Sequence, residues 1–140
     1  MSRNILSTCV AKLTQSFKDL SLAFKKHPVT DDVVVTKDSA AIKQSITTLL
    51  LTDRGERLFQ PDLGSSLRRF LFEPLDFATA GLITTSIRQC LGRFEPRIRV
   101  SSCRAIPNDA ENGFDVELTY KIIGTSIPPV TVDFFLARTR

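Results

Sequence analysis

The chain has 140 residues, 42% of them hydrophobic and 24% charged, with a net charge of +4. That length and balance suit one packed domain. No apolar run approaches the roughly 20 residues that span a bilayer, and the opening MSRNILSTCVAKL is too polar for a secretory signal, so a soluble protein made in a cytoplasm is expected. Cys9, Cys90 and Cys103 are far apart without a C-x-x-C pair, and His27 is the only histidine. This argues against a disulfide framework, a cysteine zinc site and a Ser-His-Asp triad. No metal or cofactor is expected.

Residues 1–18 have weak periodicity and read as an arm of no assignable role ahead of a domain over 19–140. LSLAF (20–24) and VVVT (33–36) suit strands on either side of the break KKHPVTDD. Asp38 precedes an apolar pattern, Ile42, Ile46, Leu49 and Leu50, at helical spacing, and is placed to accept hydrogen bonds from the free amides of that helix start. DRGERLFQPDLG (53–64) is a charged loop punctuated by Gly55, Pro61 and Gly64. SSLRRFLF is a short helix that Ser65 or Ser66 can cap, with Leu67, Phe70 and Leu71 inward.

Pro74 stops that helix and Asp76 caps the next, where Ala80, Ile83, Ile87, Cys90, Leu91 and Phe94 form one stripe. Cys90 on that stripe reads as a small core hydrophobe. Pro96 lacks the amide a continuing helix needs and biases Glu95 away from helical dihedrals, so the helix ends there. Beyond it the period becomes two: Ile98 and Val100 inward, Arg97 and Arg99 outward. FDVELTYKII and VTVDFFLA alternate in the same way after the turns PNDAENG and GTSIPP. The expected fold is α+β: an antiparallel sheet of about three to five strands packed against two or three helices in a single domain.

The charge is uneven. From Arg68 to Arg104 there are seven arginines and three acids; from Ala105 onward there are three bases and five acids. Arginines without glycine-rich loops or interleaved aromatics suit protein carboxylates better than nucleic acid. A solvated basic face is the plainer reading of the same charges.

LLLTDRGERLFQPDLGSSLRRFLFEPLD followed by RFEPRIRV resembles the small baseplate wedge subunit of contractile-tailed bacteriophages, the gene-25-like family, to which a type VI secretion baseplate subunit is related. The resemblance covers roughly residues 19–140 and rests on the order of four features: T..GER.F.P..G, LFEP.D, EPR, then alternating strands. It implies a structural protein of the virion, in the tail baseplate, synthesised and assembled in the host bacterial cytoplasm. Its implied partners are the other wedge proteins, through their helical core bundle, and the tail sheath protein, for which the subunit's sheet is a template. It implies no cofactor, nucleic acid, membrane or small-molecule substrate.

Carried over to this chain, the core-bundle contact is Glu95, Pro96 and Arg97. Gly55, Glu56, Arg57, Pro61, Gly64, Phe72, Glu73 and Pro74 match the loop and short-helix signature, where a structural role competes with a contact role. The phase of the strand leaves the Arg97 fork free for a carboxylate on a partner, while Pro96 holds the corner rigid. On this reading, truncating Arg97 costs the monomer little.

Members of the family have carried a lysozyme label, so cell-wall cleavage is the alternative. It needs two carboxyls at a defined separation, one in an apolar pocket with a raised pKa. Glu56, Asp62, Glu73 and Asp76 are available. Each has a local explanation as a turn charge, a loop acid, a pre-proline residue or a helix cap. No enzymatic activity is expected.

Overall fold

The computed structural model describes residues 16–29 and 31–138; most of the proposed arm, and Cys9 with it, lies outside the described residues. The elements run β1 (Lys18–Leu20), β2 (Val35–Lys37), α1 (Asp38–Leu51), α2 (Leu67–Phe70), α3 (Phe77–Phe94), β3 (Ile98–Asn108), β4 (Gly113–Ile122) and β5 (Val130–Ala137). This is the expected α+β class. The main sheet is antiparallel in the order β3-β4-β5, and β1-β2 form a separate two-stranded ribbon.

Alternation decides the sheet. Phe114, Val116, Leu118, Tyr120 and Ile122 of β4 are all buried, while Asp115, Glu117 and Lys121 between them are exposed. One face of the sheet therefore packs on Ile42, Ile46 and Leu50 of α1 and Ile83, Ile87 and Leu91 of α3. The register of β3 on β4 shifts between Val100 and Ser102. The extra residue moves the inward set from Ile98 and Val100 to Cys103 and Ala105, and the strand stays amphipathic despite the change of phase.

Two local expectations need correction, and a third is narrowed to one of its two residues. The LSLAF strand lies earlier, at Lys18–Leu20, and belongs to the ribbon, so it is no edge of the main sheet; the edges there are β3 and β5. Asp38 does not cap α1, which has no side-chain cap. It is the first helical residue, at φ 50°, a left-handed conformation that Asp tolerates better than most residues. Its amide donates to the Phe17 carbonyl at 2.8 Å and its carboxylate accepts from the Phe17 amide at 3.3 Å. A tertiary amide has taken the carboxylate from the helix. At α2 it is Ser65, not Ser66, whose hydroxyl accepts from the Leu67 amide, at 3.3 Å, while donating to the Leu50 carbonyl at 2.7 Å.

Asp76 does cap α3, accepting from the Thr79 amide at 2.7 Å. Cys90 is buried on the α3 stripe, with its thiol against the Gly64 carbonyl at 3.4 Å. Burial raises its pKa, as expected of an inert core thiol.

Candidate functional site

The end of α3 is built by hydrogen bonds that its sequence dictates. The Glu95 amide still donates to the Leu91 carbonyl at 3.0 Å, but Pro96 has no amide to continue the ladder. The chain turns through Pro96 and Arg97 into β3, and the Arg97 carbonyl accepts from the Ile123 amide at 2.9 Å. The corner is thereby fixed to the end of β4.

Its side chains do not leave the Arg97 fork free, contrary to what strand phase suggests. Glu95 is 3% exposed. Arg97 turns back on it with a two-pronged grip, Nε to Oε1 at 2.6 Å and Nη2 to Oε2 at 2.8 Å. The remaining Arg97 nitrogen, Nη1, reaches Asp19 of β1 at 3.3 Å, and the guanidinium lies over the Phe17 ring, 5.6 Å from its centre. Ser45 of α1 donates to Glu95 Oε2 at 2.6 Å. One ion pair therefore joins α1, α3, β1 and β3. Strand phase puts Arg97 on the outer side, but three flexible carbons let its head fold back to a buried carboxylate, which period alone does not reveal.

Burial pushes the Glu95 carboxyl up, but hydrogen bonds from Arg97 and Ser45 and the adjacent positive charge outweigh it, leaving the pKa below the ordinary range. Reciprocally, the hydrogen bonds to Glu95 hold Arg97 protonated beyond its ordinary value. The pair is charged and closed. Pro96, by contrast, is exposed and forms part of the wall of a groove of about 520 Å³ whose other walls include Thr48, Arg57, Leu63 and Phe94.

The structure thus brings Arg57 of the loop signature to the same groove as Glu95, Pro96 and Arg97. The other loop positions hold the loop. The Gly55 amide, at φ 89°, donates to the Pro61 carbonyl at 2.8 Å, and Glu56 accepts from the Asp53 amide at 3.0 Å. Gly64 sits at φ 119°, where a Cβ would collide with the Thr52 carbonyl. Phe72, Glu73 and Pro74 lie apart from the groove: Phe72 is exposed between α2 and α3, Glu73 borders a different cleft beside Arg54 and Arg69, and the Pro74 carbonyl accepts from the Asp76 amide at 3.0 Å.

Sequence reasoning missed Ser45 and Asp19. Each is an isolated polar residue far along the chain from the corner, and no spacing links them to it.

A profile of the family described as baseplate wedge protein gp25 matches residues 36–126. The chain belongs to this family. The match covers Ser45, Glu95, Pro96 and Arg97 of the corner, the loop and short-helix signature and most of the sheet, but not Asp19. Baseplate wedge protein gp25 of Enterobacteria phage T4 is 30% identical over 83 residues, which is 59% of this chain and 63% of that protein; the match spans less than two thirds of the relative.

Among solved structures, a Geobacter sulfurreducens protein named as a candidate tail lysozyme is 31% identical with a TM-score of 0.60, covering 71% of this chain and 91% of that one. A chain of the post-contraction baseplate of pyocin R2 is 26% identical with a TM-score of 0.57, covering 70% and 96%.

The lysozyme name of the Geobacter protein has no counterpart in the arrangement of carboxyls here. Glu56, Asp62, Glu73 and Asp76 are all exposed. The Thr79 amide holds Asp76 below the ordinary carboxylate range. The buried carboxyl, Glu95, is held ionised by Arg97, the opposite of what a proton donor to a leaving group requires. Among the described residues no group of three or more His, Cys, Asp or Glu gathers to hold a metal ion.

Proposed function

We propose that the chain is a structural subunit of a contractile-tail baseplate, without enzymatic activity, that joins the wedge through the groove beside Glu95, Pro96 and Arg97. The observation that carries this reading is the closed corner itself. A buried, fully paired ion pair fixes the direction of Pro96 and the rim of Arg97 before any partner arrives, and surfaces held in one conformation lose less entropy on binding. Family membership supports the baseplate setting, and the pyocin neighbour is itself part of a baseplate.

In this reading the corner takes a helix of the wedge core bundle. Arg97 acts mainly by shaping the surface, since its fork is already occupied by Glu95 and Asp19. The open edge of the main sheet at β5 is the place for an extended sheath segment to add a strand, because backbone pairing there does not depend on the incoming sequence.

Thr48 tests the groove without touching the ion pair. It is exposed on α1, lines the groove, and its hydroxyl bonds only within the helix, to the Gln44 carbonyl at 2.9 Å. Thr48→Arg fills the groove and leaves the monomer within about 0.5 kcal/mol of wild type. Incorporation into wedges, measured by co-purification, is expected to fall at least about tenfold, the loss typical of one interface anchor. Normal incorporation of Thr48→Arg overturns the proposal.

A further inference from the structure

The loop 53–64 carries two large apolar side chains that the fold does not use. Leu58 is 93% exposed and Phe59 98%. Yet the loop beneath them is tied down by the Gly55–Pro61 hydrogen bond, the Glu56–Asp53 bond and a third from the Gln60 amide to the Arg57 carbonyl at 3.3 Å. An aromatic held in water on a pinned backbone is a costly surface feature unless something covers it.

Phe59 and Pro61 line a cleft of about 340 Å³ together with Leu63 and Phe94. Leu63 and Phe94 also line the corner groove. The two depressions therefore adjoin between Phe59 and Pro96, with Leu63 and Phe94 as their shared apolar wall and Gln60 and Asp62 on the polar side of the smaller one. Arg57 stands beside them, exposed and forming no ion pair among the described residues.

We infer that Leu58 and Phe59 are the apolar anchors of the docking surface whose rigid end is the Glu95–Arg97 corner, and that the occupant is an amphipathic helix of another protein with an acidic residue flanking its apolar stripe. The inference rests on the groove reading above and extends it to partner chemistry. Phe59, Leu63 and Phe94 take the stripe and Arg57 takes the acid, a pattern of central apolar anchors with a polar rim that dominates interface energies. The chain's own residues 1–15 do not suit the role, because they contain Arg3 and Lys12 and no acid to meet Arg57.

The chain has no tryptophan, so Phe59→Trp gives a single reporter. In the free chain its emission is expected at the water-exposed position, fully quenched by acrylamide and independent of protein concentration. In assembled baseplates, read as the difference from baseplates carrying the wild-type chain, it is expected to shift to the blue and resist quenching. Phe59→Ser and Leu58→Ser are each expected to melt like wild type and to lose at least about tenfold in incorporation, and Arg57→Glu to lose a similar factor.

A reporter already shielded in the free chain means that this chain or a second copy covers Phe59, and overturns the inference. So does a reporter that stays quenchable in baseplates, or a Phe59→Ser chain that assembles normally. Normal assembly of Phe59→Ser alongside failure of Thr48→Arg removes the anchors and spares the corner groove; absence of the wild-type chain from baseplates removes both.

Discussion

At the scale of single residues the decisive contact is the grip of Arg97 on Glu95. Removing Arg97 leaves a carboxylate that is 3% exposed with only Ser45 to satisfy it. Breaking a buried pair by removing one partner costs about 3–5 kcal/mol, and because Arg97 is itself about a quarter exposed a loss of about 2–3 kcal/mol is expected for Arg97→Ala in urea unfolding. This replaces the inexpensive truncation that strand phase suggests. Arg97→Lys recovers charge without the fork and is expected to fall between.

The same pair sets a pH dependence. The Glu95 pKa is lowered on folding, so the unfolded chain takes up the proton first as pH falls. Its contribution is complete above the ordinary glutamate range, near pH 4.3, and is lost as pH drops through the lower folded value. Asp76, also lowered, acts in the same sense. Glu95→Gln, less stable at pH 7, is expected to lose less stability than wild type on titration toward pH 3, measured by thermal melts across the range. A steeper loss in the variant contradicts the assignment.

At the scale of elements, what was legible in the sequence is what local pattern controls. The α3 stripe and the β4 alternation appear in the structure because each residue's side is set by helix or strand period, and burial follows. The Asp76 cap was legible because its acceptor and donor are three residues apart. Asp38 looked identical by type and position, yet its carboxylate binds the Phe17 amide 21 residues away. The fold-back of Arg97 and the phase change in β3 were hidden for the same reason: both depend on contacts that only the assembled domain creates. Gly64 lies between these cases, a turn glycine from sequence and a close approach in the structure. Gly64→Ala is expected to destabilise by more than about 1 kcal/mol, since it combines an unfavourable φ with a clash against backbone. A melt equal to wild type would show that the loop relaxes freely.

At the scale of the whole molecule, the fold places its helices on one face of a three-stranded sheet and gathers a corner, a loop and a groove at the end of α3. Buried charge is spent there on rigidity, and the exposed apolar residues nearby have no use inside the monomer. That division suits a part built to be held by others. With the exposed acids unpaired into any catalytic arrangement, the purified chain is expected to leave a peptidoglycan suspension turbid; clearing that disappears in Glu73→Gln or Glu56→Gln would contradict the structural reading. The most direct measurement is electron cryomicroscopy of baseplates assembled with this chain. The prediction is an amphipathic helix from another subunit lying in the groove, in contact with Pro96, Phe94 and Arg57, with the Glu95–Arg97 pair intact beneath it. A groove open to solvent in the assembled baseplate, with the chain held through other surfaces, would contradict it.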